Sequence, residues 1–431
     1  MSRYNYLRKY ASSDTWSPST SPETVQQAQM AIHAIQNHHD VSATMLESVI
    51  SLTYHVSSLL ELLGDPELVQ GCILYLCRRE AGGVQVFDDE QGYLYFRILV
   101  LAINILVISK YDCPAFWRLL ASMDGKQDAS KTLSDGVEVF LAHRIDSHPD
   151  QVIGWSSSAP NEIIVNQECA LLLLGLLFKN RKGLLRAWSE TCSPTLTGLL
   201  FVLWRLAHIT STPALWIYFI DIAQRNYLVV GGNGASPIQK FEQDIRERAK
   251  IWLSRNTPVA VDLEDSRTQL ALLGKQLQFE RDVGFSAIPF SMFASSLILH
   301  FTPTHEEGFV PGVEDLFVPL IQKLFGGFWR YLAIDTTPRP VPPEVLVNHF
   351  GAMMVLTNCM LRHLINHPTA GVTAREALQA TADLGVIEMM SQSIILIDDY
   401  NGEEIAEKKC TSTAHECYHR WMCLTRRQYQ T

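Results

Sequence analysis

Apolar side chains recur at steps of three and four through most of this chain, and the breaks between the stripes carry residues that start and stop helices. Behind Ser21-Pro22-Glu23, Val25, Ala28, Ile32 and Ile35 keep the helical interval, with Ser as N-cap and Pro in the first turn, where its missing N–H costs nothing. Leu46, Val49, Thr53, Val56, Leu60 and Leu63 hold the same rhythm up to Gly64-Asp65-Pro66-Glu67, a corner that ends one helix and caps the next. From Ser236-Pro237 onward Ile238, Phe241, Ile245 and Trp252 form one stripe, and Glu242 with Arg246 and Asp244 with Arg248 sit four apart on the polar face. Further helices are expected at about 92–110, 114–122, 129–146, 161–179, 184–191, 194–209, 213–229, 264–282, 287–300, 313–333, 343–366, 373–383, 385–398 and 403–427. Strand signals are confined to Val84–Phe87 and Val259–Val261, which read equally as extended linkers. The fold class is all-α, a multi-helical array that is either α-solenoid-like or an irregular large bundle.

Ser58 to Leu76, SLLELLGDPELVQGCILYL, joins an apolar helix to an Asp-Pro-Glu corner and then to a small residue early in the next helix. It resembles one unit of the armadillo or HEAT families. The resemblance implies stacked helix pairs and a role in holding protein partners. Residues 1–20 read as a flexible leader, 21–335 as the multi-helical domain and 344–431 as a C-terminal helical segment. The boundary falls at 336–343, stiffened by Pro338, Pro340, Pro342 and Pro343. Other interruptions lie at 156–160, 231–236 and 300–312.

Composition narrows the function classes. Apolar residues make up 47% of the 431 and charged ones 19%, so helices should pack on more than one side. The apolar runs Ile98–Ile108 and Ala170–Phe178 are shorter than the roughly 18 to 20 residues a bilayer requires, and Arg97, Asn104 and Glu168 interrupt or flank them. Buried helices are expected there and no membrane partner. A net charge of −10 disfavours nucleic acid, which a chain of this sign repels on approach. Nine cysteines, among them Cys72, Cys77, Cys169 and Cys359, are scattered through helical segments as reduced thiols would be. A cytoplasmic location is expected, with the nucleus open.

The sharpest chemical motif is His415-Glu416-Cys417-Tyr418-His419. Residues four apart share a helical face, so His415 and His419 can turn ring nitrogens to one zinc ion while Glu416 polarises a bound water as general base. These five residues resemble the H-E-x-x-H of zincin metallopeptidases, which implies a zinc-dependent hydrolase. After Glu416 the chain holds no acid, and no His follows His419. Cys423, four positions on, completes a His415, His419, Cys423 face with Cys410 and Cys417 near by, and His419 with Cys423 is similar to the closing H-x-x-x-C of MYND-type fingers.

Other candidates read as structure. Gly231–Ser236 places Pro237 where a dinucleotide loop needs its third glycine, and Asp398–Glu404 puts Ile397 where a calcium loop needs its first acid. His38-His39-Asp40, His143 and His148 are expected at helix ends. The functional expectation is therefore an intracellular helical scaffold that binds another protein through a helical groove, without catalysis of its own. The alternative is a zinc-binding protein or zinc-dependent hydrolase acting through His415, Glu416 and His419, and a small-molecule pocket in an all-α enzyme is the third reading.

Overall fold

The computed structural model describes residues 4–12, 21–52, 61–109, 149–155, 163–191, 195–230, 258–277, 309–332, 343–367 and 371–386. To these it adds 133, 136–138, 140–141, 241, 243–245, 247–248, 251–252 and 388–389. Every regular element among them is helical, so the all-α expectation holds. Val86–Phe87 form a turn and Val259–Val261 a bend, and Val84–Gln85 belong to no regular element. The chain divides into two units, one of Met1–Val230 with Gly234–Asp244, the other of Gly231–Asn233 with Ile245–Thr431. The division falls around the glycine-rich interruption at 231–236, and the Pro-rich stretch 336–343 lies within the second unit.

Among the described residues the longer helices of the first unit are α1 (Pro22–Gln36), α2 (Ala43–Ser51), α3 (Pro66–Ala81), α4 (Glu90–Ser109), α5 (Gln167–Lys179), α6 (Arg181–Glu190), α7 (Thr197–Thr210) and α8 (Pro213–Val230), with a single turn at Pro149–Val152. Their starts follow from short polar side chains that take the orphan amides of a first turn. Ser21 accepts from the Thr24 N–H, Ser42 from Met45, Asp65 from Glu67 and Asn166 from Cys169. Asp65 also takes Gln36 Nε2 at 2.6 Å, so the Asp-Pro-Glu corner fastens α3 to the end of α1. Of the stretch that resembles a helical repeat, 58–60 lies outside the described residues, and Glu61–Leu63 is one turn of 3-10 helix.

The core is built around α4, which packs on α2, α3 and α7 and buries every residue from Gly92 to Ile108. A helix apolar on all sides must be enclosed on all sides. At 20 residues α4 is longer than its apolar run, and by length and composition it is able to cross a membrane; 94% of its apolar window is buried inside the unit. Two glycines permit the tightest approaches. A Cβ on Gly71 of α3 would stand 2.3 Å from the Ile35 carbonyl oxygen of α1, and one on Gly92 would stand 1.9 Å from the Val86 carbonyl oxygen. Asn180, at the corner between α5 and α6, donates to Glu80 Oε2 (3.0 Å) and the Leu176 carbonyl (2.9 Å) and accepts the Val86 N–H (3.1 Å). One side chain thus ties α3, the turn before α4 and the α5–α6 corner together.

Residues 5–10, inside the expected leader, form a 3-10 helix with Leu7 and Tyr10 fully buried. The Tyr10 hydroxyl lies 2.6 Å from both Glu47 Oε1 and Glu90 Oε1, Lys9 binds the same two carboxylates, and the Tyr6 hydroxyl donates to the Phe87 carbonyl at 2.7 Å. The leader's first residues are thereby packed against α2 and α4. Residues 13–20 lie outside the described residues.

The second unit contains α9 (Leu263–Gln276), α10 (Phe317–Leu332), α11 (Pro343–Asn366) and α12 (Gly371–Asp383), with α10 packed on each of the other three. Asp262 caps α9 by accepting from the Asp265 N–H at 2.9 Å. A 3-10 turn at Glu314–Leu316 leads into α10, because the Glu314 carboxylate reaches back to the Gly312 N–H at 2.9 Å and holds that corner outside the α-helix.

Candidate functional site

His415, Glu416, His419 and Cys423 all lie outside the described residues, as do Cys410, Cys417, the Gly231–Ser236 loop and Asp398–Glu404. Among the described residues no three His, Cys, Asp or Glu side chains gather where they could hold a metal ion. The described cysteines Cys72, Cys77, Cys169 and Cys359 are free thiols. Burial pushes Cys72 well up and Cys359 up to about 11, so neither is a ready thiolate.

Among the described residues each unit holds one histidine–carboxylate pair. In the first, Asp244 Oδ2 accepts from Trp204 Nε1 at 2.7 Å and lies 2.7 Å from His208 Nε2. The His208 ring sits edge-on to Trp204 and Trp216, at 4.7 and 5.0 Å between centroids, and Phe241 packs beside Trp204 and Phe219. In the second, His363 Nε2 lies 3.1 Å from Glu314 Oε1 beside the rings of Phe309 and Phe317, with His367 just past the end of α11. Arg267 of α9 fastens the same corner, donating to both Asp315 oxygens at 2.7 Å and to the Gly312 carbonyl at 2.6 Å.

The electrostatics of the second pair have separable causes. Burial drives the His363 ring below its ordinary value, the Glu314 contact pulls it back up, and His367 lowers it again. For Glu314 burial works to raise the carboxyl, but donors from its own and the Gly312 backbone, together with His363, hold it below the ordinary carboxylate range. A carboxylate that fixes a histidine tautomer is half of a nucleophile-activating relay. The other half is missing among the described residues, where neither ring hydrogen-bonds a serine, threonine or cysteine. The pairs join α7 to the segment after α8 and α11 to the entry of α10.

A third polar cluster is fully enclosed. Arg225 Nε donates to Asp221 Oδ1 at 2.6 Å one turn back on α8, and Arg181 of α6 lies 3.7 Å from Asp221 Oδ2. Arg225 and Asp221 are each 1% exposed, and with Arg181 they link α6 to α8.

The surface feature that breaks the pattern is on α5. Its inner side, Cys169, Ala170, Leu173, Leu174, Leu176 and Leu177, is core, as expected of the run from Ala170 to Phe178. Leu171 and Leu172, expected to be buried with them, are 47% and 49% exposed. Gly175 continues their stripe, and a Cβ there would meet open space. Sequence reasoning missed this face because an unbroken apolar run hides periodicity. The available signal was polar: Glu168 and Lys179 bracket the run on the side that carries Leu171, Leu172 and Gly175. The two histidine–carboxylate pairs had no such signal, since their members are 36 and 49 positions apart.

No protein family, curated protein or solved structure matches this chain.

Proposed function

We propose that this chain is a helical scaffold that binds protein through the outward face of α5. The observation that carries the reading is the adjacent exposure of Leu171 and Leu172 on a helix whose opposite side is core. Scattered apolar side chains are normal on a surface, but two neighbouring leucines in one stripe with an open glycine make a seat for a partner helix. The buried polar clusters support the same reading, because each of them joins helices or helix entries to one another. A photo-reactive p-benzoylphenylalanine in place of Leu171, activated in cells, is expected to give a discrete protein adduct. The same group in place of Met30, exposed on α1, is expected to give none. Equal labelling from both positions would sink the proposal.

A second reading rests on the sequence motif alone: zinc held by His415 and His419, with Cys423 as a third donor and Glu416 as base. Metal analysis of the purified chain beside His415→Ala and His419→Ala is the test. Stoichiometric zinc lost in both variants supports it, and metal-free wild-type protein removes it.

A further inference from the structure

The stripe that makes α5 unusual is longer than its two leucines, and its ends are charged with opposite sign. At 100° per residue Glu168, Leu171, Leu172, Gly175 and Lys179 fall within about 100° of the helix circumference. Glu168, Leu171, Leu172 and Lys179 are exposed, and Gly175 is half-buried. Measured from the midpoint between Leu172 and Gly175, Glu168 and Lys179 lie equally far, about 8 Å, on either side. Turned through 180° about that midpoint, four of the five positions meet one another: Glu168 faces Lys179 of a second copy, and each Leu172 falls opposite the other copy's Gly175, with Leu171 at the margin of the contact. We infer that the outward face of α5 is a self-association surface, on which two copies of this chain pair α5 against α5 in antiparallel fashion.

Three observations argue for a second copy as the occupant. Self-complementarity of a single patch is the defining property of a two-fold interface, and acid–leucine–glycine–lysine in mirror spacing has it. Gly175 has no atom over its Cβ position, so it can receive a leucine from the facing helix and let the two backbones come close. Lys179 already binds Glu80 of α3, yet its side chain is 67% exposed and is free to bridge to a carboxylate across the pair. The stripe is only about 16 Å long, so the contact belongs to the weak, small class of interfaces, with dissociation in the micromolar range.

This inference rests on the reading of α5 as a docking face and names its occupant. Sedimentation velocity of the full chain from about 1 to 100 µM is expected to show a mass rising with concentration from 48.6 kDa towards twice that value. Leu172→Glu is expected to remain monomeric throughout, with unchanged far-ultraviolet circular dichroism. Glu168→Lys and Lys179→Glu singly are each expected to weaken association by about two- to tenfold, and the double exchange to restore it. This charge series also tests the interface should Leu172→Glu fold poorly. A wild-type chain that stays monomeric at 100 µM overturns the inference, and so does a double exchange no tighter than its parents. The photo-reactive group at position 171 separates the two proposals: an adduct of twice the chain mass supports the second copy. An adduct only with another protein overturns self-association and leaves the scaffold reading standing, and no adduct overturns both.

Discussion

His363 brings a titratable ring into an apolar corner, and the sign of its effect on stability follows from the direction of its shift. Its folded value lies below the unfolded 6.5, so the folded state binds the proton less readily than the unfolded one. Stability is therefore fully present above about pH 6.5 and declines as pH falls from there through the folded value. Glu314 is depressed from 4.5, so its contribution survives down to lower pH and leaves the interval between 5.5 and 7.5 to histidine. Melting temperatures at pH 7.5 and 5.5 are expected to differ in wild type, and His363→Gln to reduce that difference. Glycines offer a second contrast at this scale. Gly71→Ala would drive a methyl into the Ile35 carbonyl, and neither backbone can yield cheaply, so a loss of about 2–4 kcal/mol in denaturant titration is expected. Gly175→Ala meets nothing and gains helix propensity, so it is expected to stabilise the fold by up to about 1 kcal/mol.

Helices were legible in the sequence where a cap and a periodic stripe agreed within the described residues, as at α1 behind Ser21. The span read at 343–366 is the observed α11, because Pro343 marks its first turn and apolar residues repeat to its end. The span read from 161 begins instead at Gln167, since Asn166 captures the Cys169 amide and takes the role of N-cap. The entry of α10 departs because the Glu314 carboxylate turns back to the Gly312 N–H, and Arg267 and His363, which no window of sequence around 313 contains, brace that corner. The Asp65 corner is a local feature whose energetic weight is open to test. Asp65→Ala removes both the α3 cap and the bond from Gln36, and a cost of about 1–2 kcal/mol in equilibrium unfolding is expected. Asp65→Asn, which keeps the cap acceptor, should recover most of it.

For the whole molecule, the direction of the His363 shift points the effect of acid at the second unit. Hydrogen exchange, corrected for its intrinsic pH dependence, is expected to speed up around α11 and the entry of α10 between pH 7.5 and 5.5, while α4 keeps its protection. Acceleration in α4 first would move the acid-sensitive element to the other unit. The all-α class was legible from the full length of the chain because it depends on a repeated local pattern. The candidate metal residues were legible only as a motif, since whether their nitrogens converge is a matter of tertiary placement and His415 to Cys423 fall outside the described residues.

The enclosure of α4 sets a schedule for synthesis. Its partners α2 and α3 leave the ribosome ahead of it, but α7, which closes another side, begins roughly ninety residues after α4 ends. At translation rates of about 5–20 residues per second, α4 waits on the order of five to twenty seconds with that side uncovered. During that wait a nascent chain with twenty apolar-rich residues in one helix presents what the targeting machinery for membrane proteins recognises. Ribosome-bound chains stopped before Thr197 should therefore recruit signal-recognition or chaperone factors, and chains extended past Thr210 should release them.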